Sequence, residues 1–480
     1  MKKHLTPLQI CAAILAGFIL IGLLFYAIAH EQLSFAHNTT DALSISGNTA
    51  ELIAGDVVEQ PFSVDGDVLD QVSLLFQTYA RENTDTLWIG ILDGETVCYE
   101  TSINTATLQD NAYFTISPNL TDVSEKELTL RIVSTDGAVG NAATIAIGNS
   151  IQAGRADIPV SGIRPAIKNG QQLSGSLCMV TTATKAIWFG QYYWYIYFAA
   201  VIALAMYLGY TLKCIRVGKS TICLSFLYAM RKYWFLIEQL VGRDFKTKYK
   251  RSVLGVMWSF LNPLLTMSVQ YVVFSTLFKS NIAYYPVYLF CGIICFNYFS
   301  ECINQCMISI VSYANLITKV YVPKYLYPVS KALSSSINLL FSLIPLVLLM
   351  LFSGLRLHSS FLLLPFPLVC LFMLSLGIGM ALATAEVFFR DTQFLWGVIA
   401  MMWMYCTPLF YPESIIPSSL MPVFKMNPLY HIIKFMRIIL IEGVSPAPIS
   451  YLACIVSGVS MLALGLWLFK KNQDKFILYI

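Results

Sequence analysis

The residues Gly218-Lys219-Ser220 end the stretch CIRVGKST and raise the question of phosphate chemistry. A phosphate-binding P-loop needs a further glycine five positions before the glycine of Gly-Lys-Ser, because its backbone N–H groups must converge on phosphate oxygens. That position is occupied by Lys213. The spacing therefore excludes a P-loop, and we interpret the three residues as a basic turn.

Other catalytic patterns are absent from the sequence. It contains no HExxH motif, no GxSxG motif and no His/Cys cluster at metal-ligand spacing. Four cysteines share one helical face, but free cysteine also behaves as a small apolar side chain, so we predict that they pack in a core. These four are Cys291, Cys295, Cys302 and Cys306. We predict no catalytic residue and no metal site.

The composition indicates a membrane protein. Hydrophobic residues make up 57% of the chain and charged residues 12%, and the mean hydropathy is +0.65, outside the usual range of soluble proteins. Eight apolar segments are long enough to cross about 30 Å of hydrocarbon. They lie at roughly 8–29, 191–212, 256–278, 286–311, 333–353, 361–386, 393–411 and 449–469.

The distribution of lysine and arginine predicts the orientation of these spans. Basic residues concentrate at the N-terminus, between Lys213 and Arg251, and after Lys470. The positive-inside rule then places both termini in the cytoplasm and residues 30–190 outside. The first span could also be a signal peptide, since Ala27-Ile28-Ala29 resembles a cleavage site, but a signal core is shorter, at about 7 to 15 residues. We favour a retained anchor.

Residues 30–190 have a different composition, rich in Thr, Asn, Asp, Gly and Ser with short alternating apolar segments. Val72, Leu74 and Phe76 share one face of a predicted strand, and Asp93-Gly94 is typical of a hairpin turn. The pattern predicts a two-sheet sandwich that resembles jelly-roll modules attached to glycan-handling membrane proteins. The sequence leaves open whether this domain binds glycan or is a spacer, and whether Cys98 and Cys178 pair.

The stretch RKYWFLIEQLVGRDFKTKYKR predicts an amphipathic helix at the inner membrane interface. Its apolar residues recur at helical spacing, while its cations can face anionic lipid headgroups. Ordinary positive-inside anchoring is the alternative. The interface residues that we predict are Arg243, Asp244, Lys246, Tyr249 and Arg251.

Polar and small residues within the spans suggest where helices meet each other or water. Glu301 lies in the span 286–311 beside Asn297, and an acid within a membrane faces protein or water because its burial in lipid is costly. It either lines a channel or forms a helix contact.

Two small-residue stripes on the span 361–386 predict close helix packing. They are Gly377, Ala381 and Ala385, and Ser375, Gly379 and Ala383.

Five motifs in order resemble the permeases of ABC-2 type exporters for polysaccharides and teichoic acids. The first comprises Arg243-Asp244, Tyr249, Leu254-Gly255, Trp258 and Pro263; the second is ANLITKVYVPKYLYP, with Asn315, Leu316, Lys319, Pro323 and Pro328; then follow FFRDTQ, TPLFYP and NPLY. The resemblance covers about residues 225–480.

The resemblance implies a mainly α-helical polytopic membrane protein with about eight transmembrane helices, six of which form an ABC-2 type domain, and with an inserted extracytoplasmic β-sandwich. The predicted regions are 1–29 (N-terminus and first anchor), 30–190 (β-sandwich), 191–212 (second transmembrane helix), 213–255 (cytoplasmic interface helix), 256–470 (six-helix transmembrane domain) and 471–480 (cytoplasmic tail).

The resemblance also implies roles for individual residues. Asn315, Leu316, Lys319 and Pro323 would couple the permease to an ATPase, and Arg390 and Asp391 would act structurally at the inner boundary. Pro412, Asn427, Pro428 and Tyr430 would form an outer gate. Possible channel-lining residues are Asn297, Glu301, Trp403, Tyr405 and Tyr411, whose aromatic members can stack on sugars or form an interfacial belt.

The function implied is that of a permease subunit in the plasma membrane of a bacterium, which exports a lipid-linked polysaccharide or a teichoic-acid-like, polyol-phosphate polymer. Such permeases form homodimers with two copies of a separate ABC ATPase, which holds the ATP and Mg²⁺. We therefore expect no cofactor on this chain and no nucleic-acid partner. The alternatives are an exporter of a smaller amphiphile, such as a drug or lipid, and a membrane-anchored protein that binds or modifies glycans.

Overall fold

The computed structural model describes residues 7–40, 42–124, 126–149, 164–217, 222–249, 254–276, 284–319, 322–417 and 419–479. The chain divides into a β unit, Leu33–Tyr192, and a helical unit, Met1–Gln32 with Tyr193–Ile480. The basic turn Gly218–Ser220 and the predicted interface residue Arg251 lie outside the described residues.

The helices are α1 (Pro7–Ser34), α2 (Trp188–Arg216), α3 (Ile222–Tyr249), α4 (Trp258–Thr276), α5 (Tyr285–Met307), α6 (Ser309–Ser312), α7 (Ala314–Ile317), α8 (Leu326–Phe352), α9 (Pro365–Phe388), α10 (Thr392–Tyr405), α11 (Met421–Met426), α12 (Pro428–Arg437), α13 (Pro448–Asn472) and α14 (Phe476–Tyr479). Short 3₁₀ helices lie at Thr105–Thr107, Gly255–Met257, Ser359–Leu363, Glu413–Ile415 and Gln473–Lys475, and a π-helix at Ile438–Glu442.

The strands are β1 (Phe35–Thr39), β2 (Ser44–Asn48), β3 (Val57–Phe62), β4 (Val68–Gln77), β5 (Thr86–Asp93), β6 (Thr96–Asn104), β7 (Ala112–Ile116), β8 (Leu120–Thr121), β9 (Leu128–Ser134), β10 (Thr144–Asn149), β11 (Ile167–Lys168), β12 (Gln171–Gln172), β13 (Ser176–Leu177) and β14 (Met179–Ala186).

The β unit is a two-sheet sandwich. One sheet has the order β1-β14-β4-β10-β13, with β2 beside β10 and with β7 and β8 beside β4; the other has the order β12-β11-β3-β9-β5-β6. Val72, Leu74 and Phe76 are fully buried in a core shared by both sheets, as the alternation predicts. Gly94 occupies the β5–β6 turn with φ +62°, a conformation that glycine adopts without steric cost.

The ends of the β unit lie side by side. Its first and last strands pair directly, because β1 runs antiparallel to β14 with Phe35 opposite Ala186. Burial raises the pKa of Asp56, but hydrogen bonds from Asn169 and Lys168 outweigh burial and hold this pKa below its usual value.

The open question of a disulfide is answered within this structure, where Cys98 is exposed, Cys178 is buried and both are free.

Six of the eight predicted spans coincide with candidate membrane-spanning helices of the described residues. Six helical segments of the described residues are long and apolar enough to cross a membrane: Leu8–Ser34, Trp188–Ile215, Tyr285–Met307, Leu326–Phe352, Ser359–Phe388 and Pro448–Tyr479. The predicted span 256–278 corresponds to α4, with 19 residues, which is less apolar because it carries Asn262 and Gln270. The predicted span 393–411 corresponds to α10, which has only 14 residues. It ends before Pro408, which disfavours helical backbone at the residue before it.

Glycine permits a close helix crossing between α9 and α13. A Cβ atom at Gly377 would collide with the carbonyl of Met461, and one at Gly465 would collide with the carbonyl of Gly377. Gly379, on the second predicted stripe, faces Cys306 of α5 instead. The prediction of close packing is therefore confirmed for both stripes. The four cysteines of α5 are fully buried in the same core, as predicted.

The N-terminal helix α1 packs on α2 through tyrosine hydroxyls. Tyr193 donates a hydrogen bond to the carbonyl of Gly22 and Tyr197 donates one to the carbonyl of Ile19, both at 2.8 Å. Phe25 also meets the ring of Tyr451 on α13 edge-on, with centroids 5.1 Å apart. These contacts pack α1 against α2 and α13 in the helical unit, and its retention as an anchor stays a prediction.

Candidate functional site

A cavity of about 600 Å³ opens between α4, α5 and α8, and the last turn of α3 contributes to its wall. Its lining is mostly polar, although each of the three helices is otherwise apolar. The polar lining residues are Ser259, Asn262 and Thr266 of α4; Asn297, Ser300, Glu301 and Asn304 of α5; Ser335, Asn338 and Ser342 of α8; and Lys248 of α3. Trp258, Phe296 and Tyr298 add aromatic surface.

Helical periodicity explains how this lining arises. On each helix the polar positions recur three or four and then seven residues apart, so that they lie on one face over two turns. On α8, for example, Ser335, Asn338 and Ser342 occupy positions i, i+3 and i+7. We identified the polar stripe of α5 from the sequence. The stripes of α4 and α8 have the same signal, and we missed them.

Glu301 and Lys248 form an ion pair at the cavity wall. The Lys248 ammonium donates to Glu301 Oε1 at 2.6 Å, and the Asn338 amide donates to the same oxygen at 2.8 Å. The side chains of Lys248 and Glu301 remain 46% and 33% exposed. Glu301 therefore lines the cavity and also joins helices, which combines the two roles that the sequence left as alternatives.

Three predicted lining residues lie elsewhere. Trp403 donates its indole N–H to Asn427 Oδ1 at 2.9 Å, and Tyr411 donates its hydroxyl to the carbonyl of Tyr405 at 2.8 Å. Neither these residues nor the exposed Tyr405 belongs to the described wall of the cavity, whereas Asn297 does. Tyr411 thus ties the TPLFYP loop to the end of α10, and Trp403 ties α10 to the residue before α12.

The predicted gate residues cluster around the start of α12. Asn427 caps this helix by accepting from the Leu429 N–H at 3.0 Å, and its amide donates to Thr407 Oγ1 at 2.8 Å. Pro428 fills the first helical position, where its missing N–H costs nothing. Side chains thus tie the motif NPLY to the motif TPLFYP.

A second ion pair stabilises the same region. Lys434 of α12 donates to Glu413 at 2.7 Å and to the hydroxyl of Tyr430 at 3.3 Å. Pro412 immediately precedes the short helix that carries Glu413. All four predicted gate residues therefore belong to one connected region, and their role as a gate stays a prediction.

Arg437 is a structural residue that our sequence analysis missed. Its buried guanidinium donates to the carbonyls of Pro408 and Leu409 at 2.8 and 2.9 Å and lies 3.4 Å from the centroid of the Tyr288 ring. An arginine between apolar residues in FMRIIL is the sequence signal of a buried cation that needs acceptors. It holds the TPLFYP loop against α5.

Comparison with known proteins now bears on this helical unit. Residues 236–441 match the family model described as ABC-2 type transporter. This segment, about two fifths of the chain, is thus similar to the ABC-2 type transporter family. The five recognised motifs and the described lining of the polar cavity lie within this matched region.

Three relatives indicate the branch of the family. The chain is 27% identical over 256 residues to the O-antigen export system permease protein RfbA of Klebsiella pneumoniae, an alignment that covers 53% of this chain and 98% of that protein. It is 28% identical to RfbA of Myxococcus xanthus, covering 51% and 95%. It is 24% identical to the polysialic acid transport protein KpsM of Escherichia coli, covering 50% and 95%. The resemblance to polysaccharide exporter permeases is confirmed.

The predicted interface helix corresponds to α3. Side-chain contacts of Asp244 hold this helix to other segments of the helical unit. This carboxylate lies 3.0 Å from Lys331 of α8 and 3.5 Å from Arg243, and it accepts a hydrogen bond from the Tyr313 hydroxyl at 3.2 Å. The guanidinium of Arg243 lies 4.9 Å from the centroid of the Tyr313 ring. Tyr313 directly precedes α7, so Asp244 connects three separate segments.

Of the remaining predicted interface residues, Lys246 has a described side chain. Lys246 is exposed and forms no ion pair among the described residues, and the side chain of Tyr249 lies outside them. The membrane-interface position of α3 stays a prediction.

The predicted coupling residues lie on and after α7, a helix of four residues. Asn315 and Lys319 are exposed, which leaves both side chains accessible to a partner. Leu316 packs partly against the permease core, and the half-buried Pro323 lies just before α8. The arrangement suits a docking segment, although its contact with an ATPase stays a prediction.

Arg390 and Asp391 are exposed between α9 and α10. Neither forms an ion pair in the part of the chain that the structure describes, and their structural role at the inner boundary stays a prediction. Glu386, one turn earlier, accepts instead from the backbone N–H of Gln393 at 3.2 Å.

Among the described residues, no group of three His, Cys, Asp or Glu side chains could hold a metal.

Proposed function

We propose that this chain is the membrane subunit of an ATP-driven exporter that moves a lipid-linked polysaccharide or teichoic-acid-like polymer across the bacterial plasma membrane. The observation that carries the proposal is the polar cavity inside an otherwise apolar helical domain whose relatives export O-antigen and polysialic acid. Polar groups within membrane helices are costly unless they face protein or an aqueous path. A hydrophilic cargo provides a reason to keep them.

The cavity wall offers the groups that a sugar chain needs. Asparagine amides and serine or threonine hydroxyls both donate and accept hydrogen bonds, as sugar hydroxyls do. They can replace the water that a glycan loses on entering the membrane. Trp258 and Tyr298 add aromatic surface on which sugar rings can stack.

ATP hydrolysis takes place on a separate subunit in this proposal. Two copies of the permease pair with two ATPase subunits, and the segment from Ala314 to Tyr325 docks on the ATPase at the cytoplasmic side. Closure of the ATPase then reaches α3 and α8 through Tyr313, Asp244 and Lys331. Both termini are cytoplasmic, and the β unit lies outside, where we expect it to bind the emerging polymer.

Depletion of the protein in its host tests the cargo. We expect undecaprenyl-linked polymer to accumulate inside the cell, and we expect an ABC ATPase to copurify with the permease. If instead only resistance to drugs changes, the cargo is a smaller amphiphile. If no ATPase copurifies, the protein is not a transporter subunit.

Substitution in the cavity wall tests the path. Asn304 is exposed to the cavity and forms only a 3.5 Å hydrogen bond with Ser300, so Asn304→Leu should reduce export without lowering the amount of permease in the membrane. The matched control is Asn472→Leu at the end of α13, outside the cavity. Equal export by the two variants would refute the cavity as the path.

A further inference from the structure

We infer that Trp88 of the β unit forms a stacking surface for a sugar ring of the exported polymer, with Arg131 and Glu100 beside it to hydrogen-bond the sugar hydroxyls. This inference rests on the proposed function, and it names the site with which the β unit holds the polymer. The three residues lie on the outer face of the sheet that contains β5, β6 and β9.

The strand β5 directs Trp88 away from the core. Leu87, Ile89 and Ile91 of this strand are buried in the core between the two sheets. Since successive side chains of a strand point to opposite faces, Trp88 and Gly90 share the outer face. Trp88 is only half-buried there. Part of the indole is therefore accessible to a ligand.

Gly90 makes room for the indole on the sheet. A Cβ atom at Gly90 would stand 2.2 Å from Cη2 of Trp88 and 2.8 Å from Cζ2 and Cζ3, so the far edge of the indole rests on the glycine. The indole N–H donates to Glu100 Oε2 at 3.2 Å. Glycine inside a strand weakens it and often marks a place that a ligand approaches closely. The indole is thus positioned before a ligand binds, which lowers the entropic cost of binding.

Charged side chains flank Gly90 on both neighbouring strands. Gly90 lies opposite Arg131 of β9 on one side and opposite Glu100 of β6 on the other. The backbones of these two strands are therefore about 9.5 Å apart. Arg131 donates its Nε–H to Glu59 of β3 at 2.7 Å, and the side chain of Arg131 remains 40% exposed. This ion pair holds the guanidinium beside the indole.

A sugar ring matches this combination of groups. Its C–H bonds form an apolar face that can be buried on an aromatic side chain. Its hydroxyls project from the edge of the ring, and each of them can donate and accept hydrogen bonds. Arginine carries five N–H donors and a carboxylate accepts at both oxygens, so Arg131 and Glu100 can bind hydroxyls in addition to their present partners. An aromatic surface between a donor and an acceptor therefore suits a sugar ring.

The test measures sugar binding by the full-length protein. The protein is purified in a detergent without a sugar headgroup, and the probe is the surface polysaccharide of its host, freed of lipid and cut into short oligosaccharides. Titration calorimetry should detect binding, and Trp88→Ala should weaken it at least about tenfold, which corresponds to about 1.4 kcal/mol. The melting temperature of each variant shows whether it is folded.

Two further variants act on the position of the indole without removing it. Gly90→Ala places a Cβ atom against Cη2 of Trp88 and forces the indole to move. Glu100→Ala, at an exposed position, removes the acceptor of the indole N–H. Each should weaken binding at least about threefold, or about 0.7 kcal/mol. If Trp88→Ala or Gly90→Ala does not fold, Glu100→Ala decides the question.

The β unit also contains a matched control. Tyr113 is an aromatic residue on β7 of the other sheet, and it is 42% exposed. Tyr113→Ala should leave binding unchanged.

Each outcome has a distinct meaning. If the unaltered protein does not bind the oligosaccharides, the inference is wrong, whereas the proposed export is still decided separately by polymer accumulation on depletion. If folded variants at Trp88, Gly90 and Glu100 bind as well as the unaltered protein, the indole only stabilises the sheet and the site is refuted. Equal weakening by Tyr113→Ala would also overturn the assignment to this face.

Discussion

Removal of Lys331 should destabilise the permease through the charge that it leaves behind. Lys331 and Asp244 lie 3.0 Å apart with side chains only 15% and 13% exposed. Loss of one partner of a buried ion pair costs about 3 to 5 kcal/mol, because the other charge remains buried without compensation. Arg243 lies 3.5 Å from Asp244 and still offsets part of that charge. We therefore expect Lys331→Met to cost about 2 to 3 kcal/mol.

A double-mutant cycle separates this effect from simple loss of packing. Asp244→Asn alone should also destabilise, since it leaves Lys331 unpaired. The combination of Asp244→Asn with Lys331→Met removes both charges and should cost about 1 to 2 kcal/mol less than the sum of the single variants.

The assay is the melting temperature of the purified protein in detergent, with the amount of folded protein in the membrane as a second measure. Lys246→Met on the same helix is the matched control, because Lys246 is exposed and forms no ion pair among the described residues. The reasoning is refuted if Lys331→Met and Lys246→Met lower the melting temperature equally, or if the two charge removals are additive.

Three further results are expected. Alanine at Asn315 or Lys319 should uncouple ATP hydrolysis from export while leaving the permease in the membrane, and normal export by both variants would remove this segment from the mechanism. Gly377→Leu should sharply reduce folded protein because it forces α9 and α13 apart, whereas Gly397→Leu, at a position where a Cβ atom meets nothing within 4 Å, should not. The depressed pKa of Asp56 stabilises the folded β unit above the ordinary aspartate pKa, and this stability is lost as the pH falls through the folded-state value. Full-length protein with Asp56→Asn should therefore be less stable at neutral pH and lose less stability on acidification, and identical melting-temperature profiles would contradict this.

The sequence predicted features that depend on periodicity. Alternation located the buried face of β4, and small-residue stripes located the packed faces of α9. The predicted end of the span 393–411 was wrong. The sequence stays apolar beyond Thr407-Pro408, whereas α10 already ends at Tyr405. Hydropathy alone does not register that local backbone restriction.

The candidate site was only partly predictable, for two different reasons. The polar stripes of α4 and α8 are present in the sequence. We overlooked them because we judged these segments by their apolar content alone. The pairing of Lys248 with Glu301, 53 residues apart, depends instead on how α3 meets α5. Likewise, the hydrogen-bond partner of Trp403 on α10 is Asn427, which caps α12, so composition suggested a stacking surface for sugars where the fold uses a hydrogen bond.

The pairing of β1 with β14 has an evolutionary consequence. The β unit begins and ends on neighbouring strands, and the N–H of Ile187 donates to the carbonyl of Ser34 at 2.7 Å. A domain whose ends meet can be inserted into an existing loop with little penalty, since it bridges the same short gap that the loop did. About half of this chain accounts for 98% of the length of a relative. A domain with paired ends can therefore be gained or lost by a chain without rerouting the segments on either side of it.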